Sequence, residues 1–89
     1  MMRTLKLNKI FGYNVKYFRY KEKYTQEKLA ELTDTSVTYI SLLESGRHHT
    51  PSFDRIESLA KSLKVQPFEL FVPREFKNLP SRVDMANEE

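Results

Sequence analysis

The sequence predicts an all-α domain of five helices, and three observations carry that expectation. Apolar residues recur at helical spacing in the longer segments, as Phe11, Val15 and Phe18 and again as Phe53, Ile56, Leu59, Ala60 and Leu63. Two short apolar-periodic stretches between them each open on a residue suited to cap a helix, Thr25 and Ser36, and meet across a very short turn. The chain of 89 residues contains no cysteine, so it must stand on one modest apolar core of the kind helical bundles build.

Residues 1–9 read as an N-terminal arm, with Arg3, Lys6 and Lys9 around Leu5 and Leu7, either basic and functional or simply frayed. The folded domain is expected over residues 10–72. Its first helix, roughly 8–23, buries Phe11, Val15 and Phe18. Tyr13, Tyr17 and Tyr20 fall about half a turn away and are expected outside the main core. They are either covered by the arm or by the chain after Pro73, or they form a contact surface for a partner. The second helix, 25–33, carries Leu29, Ala30 and Leu32 as its apolar stripe. The third, 36–45, turns Ile40, Leu43 and Glu44 to one side and Thr38, Ser41 and Leu42 to the other. Gly46 suits a helix C-terminus.

Thr50 or Ser52 can cap a fourth helix over 52–64, with Pro51 fitting its first turn in the former case. A short fifth helix, 67–72, starts near Pro67 and turns Leu70 inward. Phe68, Phe71 and Val72 then add apolar surface that is either a lid on the core or a homodimer face. Residues 73–89 read as an extended or disordered tail with Phe76 and Leu79 as anchors.

Charge and motif content narrow the function classes. Residues 1–50 hold nine Lys and Arg against five Asp and Glu, whereas residues 51–89 hold six against seven. The basic excess lies with the paired short helices, as phosphate partners would require. A short helix presenting small polar and apolar side chains has the shape to enter a DNA major groove. His48 and His49 are adjacent in a loop, with no cysteine and no third histidine, which is a poor start for a metal site. There is no glycine-rich phosphate loop, no H-E-x-x-H and no Ser-His arrangement at motif spacing, so neither an enzyme nor a cofactor is expected. No run of about 18 apolar residues exists, and cytoplasmic residence is the default expectation.

The order of the motifs says more than any one of them. T-Q-E-x-L-A from Thr25, S-x-x-Y-I-S-x-x-E-x-G from Ser36, then P-S and V-x-P-x-E-L, together resemble the helix-turn-helix of the phage Cro and repressor proteins, the XRE family, over about residues 10–72. As a small stand-alone chain it also resembles the controller proteins of restriction-modification systems. Asp34 and Lys23 stand where the family usually or often has glycine, and Asp34 can visit the left-handed region at modest cost.

The resemblance implies a repressor-like fold and a homodimer that binds double-stranded DNA, with the third helix in the major groove of a near-palindromic operator. It assigns base reading to Val37, Thr38 and Leu42, with Ser41 beside them, and phosphate contacts to Thr25, Gln26, Ser36, Tyr39, Arg47 and His48. It further implies a partly buried ion pair between Arg19 and Glu44, and dimerisation through the last helix with Phe68, Phe71 and Val72. The rival expectation is a protein-interaction module, such as an antitoxin-like partner, using the tyrosine face and the weakly polar Val37 and Leu42.

Overall fold

The structure, a computed structural model, describes residues 6–48 and 51–74. Arg3, Leu5, His49, Thr50, Phe76 and Leu79 therefore lie outside the described residues. Four α-helices run in order, α1 Leu7–Lys21, α2 Gln26–Leu32, α3 Val37–Glu44 and α4 Phe53–Leu63, followed by a 3-10 helix over Pro67–Phe71. The described residues contain no strand.

The fifth element is thus a 3-10 helix, not the α-helix expected over 67–72, and its local chemistry explains why. Pro67 opens it, the Gln66 N–H donates to the Glu69 carboxylate at 2.9 Å, and the Glu69 N–H bonds back to the Gln66 carbonyl at 3.0 Å. The backbone bond closes a turn of three residues, the carboxylate bond caps its start, and Val72 is already extended.

α1 packs chiefly on α3 and on the 3-10 helix. The core joins Phe11, Val15 and Phe18 of α1 to Leu29 and Ala30 of α2, Ile40 and Leu43 of α3, and Ile56, Leu59, Ala60 and Leu63 of α4, closed by Leu70. Gly12 lets α1 approach the end of α3, because a Cβ there would stand 2.1 Å from the Leu43 carbonyl oxygen. Asn14 is fully buried and satisfied, its amide donating to the carbonyls of Leu70 at 3.0 Å and Val72 at 2.8 Å. Its carbonyl oxygen accepts from Arg74 Nε at 2.6 Å.

Several sequence expectations shift. The helix opens at Leu7, so residues 7–9 belong to α1 and not to an arm. Tyr13 and Tyr20 are buried, and Tyr17 packs against the core. Part of the cover comes from α1's own cations, with Lys16 and Arg19 over the Tyr20 ring at 5.8 and 4.8 Å. Part comes from the chain beyond Pro73, where Arg74 lies 4.6 Å from the Tyr17 ring centroid. Leu32 is exposed because Thr33 takes its place, buried and donating its hydroxyl to the Leu29 carbonyl at 2.8 Å. Phe53 is 85% exposed. It sits at the free end of α4, about 70° round from the centre of the stripe made by the later residues.

Candidate nucleic-acid interface

The α2–α3 pair is set by its caps. Thr25 Oγ1 accepts from the Lys28 N–H at 2.9 Å and Ser36 Oγ from the Tyr39 N–H at 3.0 Å, each satisfying a donor that the first turn leaves open. Between them α2 ends on Asp34 at φ 56°, with the Asp34 N–H bonded to the Glu31 carbonyl and the Thr35 N–H to the Ala30 carbonyl at 2.8 Å. This is a Schellman ending with aspartate in the left-handed position that glycine usually fills.

The inner edge of α3 is tied down by a buried ion pair. Arg19, whose side chain is fully buried, donates from Nε to Glu44 Oε2 at 2.6 Å and from Nη2 to Oε1 at 3.0 Å. Its Nη1 donates to the Tyr24 carbonyl at 2.9 Å. Gln26 Nε2 also donates to Glu44 Oε1, at 3.1 Å. One amide donor of Gln26 is therefore engaged inward, and a phosphate contact would use the other. α1, α2 and α3 are locked together through one carboxylate.

The outer strip of α3 consists of Val37, Thr38, Ser41 and Leu42, all four exposed. Gln26 and Glu44 border it on one side. The other border is Tyr39, whose ring meets His48 edge-on at 4.6 Å between centroids and lies 5.3 Å from the Arg55 guanidinium. Burial pushes the Tyr39 hydroxyl above its usual pKa, while the nearby charge of Arg55 acts in the opposite direction. The hydroxyl is protonated at neutral pH. Arg47 is exposed beyond the end of α3, which closes on Gly46 at φ 77°, and the Asn8 amide donates to the Gly46 carbonyl.

Of the residues expected at a dimer face, Phe68 is 68% exposed and Val72 is exposed. Phe71 is half-buried, its ring 5.2 Å from that of Phe11, and so belongs largely to the core. Sequence reasoning missed Arg55, Asn14 and Gly12. Arg55 lies on α4, outside the paired helices, and nothing in its local spacing marks it. Among the described residues no group of three His, Asp or Glu could hold a metal ion, and no helix is long and apolar enough to cross a membrane.

The Helix-turn-helix family model matches residues 15–70. Control protein C.BamHI of Bacillus amyloliquefaciens is 41% identical over 68 residues, which span 75% of this chain and 83% of that protein. The chain belongs to the XRE-type helix-turn-helix family. Members of this family are regulatory DNA-binding proteins and not enzymes. Among solved structures, the restriction-modification controller protein C.AhdI from Aeromonas hydrophila superposes with a TM-score of 0.67 at 31% identity, over 72% of this chain and 96% of that one. SinR, a master regulator for biofilm formation solved in complex with DNA, superposes with a TM-score of 0.66 at 26% identity, over 70% of this chain and 98% of SinR. The helix-turn-helix of this chain is that of a DNA-binding transcription regulator.

Proposed function

We propose that the protein is a homodimeric, sequence-specific regulator that inserts α3 into the major groove of a near-palindromic operator in double-stranded DNA. The observation that carries this reading is the outer strip of α3, where Val37, Thr38, Ser41 and Leu42 stand exposed on a helix whose opposite edge is fixed by Arg19 and Glu44. A reading head needs that combination of an open face and a rigid mount. SinR, solved in complex with DNA, supports double-stranded DNA as the partner. C.BamHI and C.AhdI support a controller of the restriction-modification type as the biological class.

Titration of fluorescent duplexes at several salt concentrations, using a site selected from a random library, tests this. A selected site should outcompete bulk DNA, and affinity should fall steeply with salt because Lys and Arg contacts release counterions. If no selected duplex beats bulk DNA, specific regulation is wrong and the protein-interaction module replaces it. That rival has lost support, since two of the three tyrosines it would present are buried.

A further inference from the structure

The outer strip of α3 has two borders, and a helix lying in the major groove has a phosphodiester strand on each side. Gln26 stands on one border. On the other, Arg55 reaches from α4 to a point where three elements meet. Its Nη1 donates to the Thr33 carbonyl at 3.1 Å, at the end of α2, and its guanidinium lies 5.3 Å from the Tyr39 ring centroid on α3. His48, just beyond α3, supports the same ring at 4.6 Å.

The chemistry of the pair is directional. A guanidinium only donates, so beside the Tyr39 ring it offers the hydroxyl no acceptor and leaves the hydroxyl proton for an acceptor outside the protein. Thr33 uses one of the five N–H donors of Arg55, so others remain. A protonated hydroxyl beside a fixed cation suits an acceptor that is anionic and has several oxygens. On the border of a groove-reading helix that acceptor is a DNA phosphate.

We propose that Arg55 and Tyr39 act as one phosphate-binding unit, Arg55 bracing the Tyr39 ring and supplying the positive charge beside its hydroxyl. The unit rests on the reading of α3 as the groove helix. It adds to that reading a positioning residue from outside the paired helices. Phosphates carry no sequence information themselves, so the unit sets register and affinity and leaves base preference to the strip.

The test measures binding of a library-selected duplex across a salt series for the wild type, Arg55→Ala, Arg55→Lys, Tyr39→Phe and the double variant Tyr39→Phe with Arg55→Ala. Thermal unfolding of each variant is followed in parallel. Arg55→Ala should weaken selected and random duplexes alike by about tenfold or more. The slope of log affinity against log salt should become shallower by about 0.9, the share of one phosphate. Adding Tyr39→Phe to Arg55→Ala should cost nothing further, whereas Tyr39→Phe alone should cost several-fold. Arg55→Lys should keep the slope and lose the dependence on Tyr39, since a lysine ammonium cannot reproduce the planar fork.

Lost affinity with an unchanged slope would reduce Arg55 to a structural brace and overturn the unit, as would fully additive losses in the double variant. If Arg55→Ala does not fold, single methylphosphonate substitutions along the duplex replace it. One position per half-site should weaken the wild type more than it weakens Tyr39→Phe, and the absence of any such position overturns the proposal. Failure of the groove reading is recognisable separately, because the wild type itself would then prefer no duplex.

Discussion

Arg19, Glu44 and Gly12 decide how firmly α3 is held, and they differ in how visible they are in the sequence. Only the family resemblance pairs Arg19 with Glu44, since nothing in their spacing says that two residues 25 apart will meet; the bond at 2.6 Å is a tertiary fact. Breaking a buried pair by removing one partner leaves an uncompensated charge, so Glu44→Ala should destabilise the fold by about 3–5 kcal/mol. Urea unfolding of Glu44→Ala, compared with the exposed Glu57→Ala as control, checks this; equal midpoints would remove the pair from the scaffold. Gly12 was legible only as one of two glycines. Its contact is with the backbone of Leu43, and no local pattern records a close approach between helices. A backbone carbonyl cannot swing aside, so Gly12→Ala should cost about 1–3 kcal/mol by forcing α1 from α3. Asn14 was hidden for the same reason, its partners lying 56 to 60 residues away.

The helices themselves were legible because period and caps are local signals. Thr25, Ser36 and Ser52 cap as their side-chain chemistry allows, and helix edges move by only a few residues between expectation and structure. The errors fall where tertiary placement decides: Phe53 and Leu32 are apolar and in period, yet face outward. Helix endings are more uniform than the sequence suggested, for each of the four α-helices closes on a left-handed residue, Lys23, Asp34, Gly46 and Lys64 in turn. For a residue with a Cβ this conformation costs roughly 1–2 kcal/mol, while glycine's extra freedom in the unfolded chain costs roughly 0.5–1 kcal/mol. The first term is larger. Lys23→Gly and Lys64→Gly should therefore each raise stability by up to about 1 kcal/mol, read as a rise in urea midpoint with an unchanged slope; a fall would mean the lysine side chains contribute more than the strain costs, and for Lys64 the ion pair with Glu22 at 3.3 Å is the contribution to suspect. On α3, Val37, Leu42, Thr38 and Ser41 include no bidentate group, so base reading should lean on thymine methyls and on single hydroxyl bonds. Replacing thymine by uracil under this helix removes only the methyl. Affinity should drop at those steps and at no others, and if Val37→Ala, Thr38→Ala and Leu42→Ala all bind as the wild type does, α3 is not the reading head.

At the scale of the whole molecule, one helix in a groove reads too few base pairs to single out a site, so the proposed regulator needs a two-fold dimer with half-sites on one face of the duplex. The candidate surface of the proposed dimer is the 3-10 helix and the residue after it: Phe68 is 68% exposed, Val72 is exposed, and Phe71 packs on Phe11. Burying an exposed phenylalanine contributes roughly 1.5–3 kcal/mol, and a two-fold axis makes each such residue count twice. An aspartate in its place would be a desolvated carboxylate meeting its own symmetry copy, so Phe68→Asp should leave the monomer folded, because the side chain is already in water there, yet shift the dimer equilibrium by well over tenfold. Sedimentation at micromolar concentration separates the outcomes. A wild type that sediments as a monomer removes the premise, and a Phe68→Asp variant that remains dimeric moves the interface elsewhere, with the exposed Phe53 at the start of α4 as the next residue to change. If the dimer does dissolve, the variant should bind a single half-site with the same salt slope per protomer and lose the preference for half-sites spaced by one helical turn, because the reading strip and its mount are left untouched and only the geometry between copies is gone.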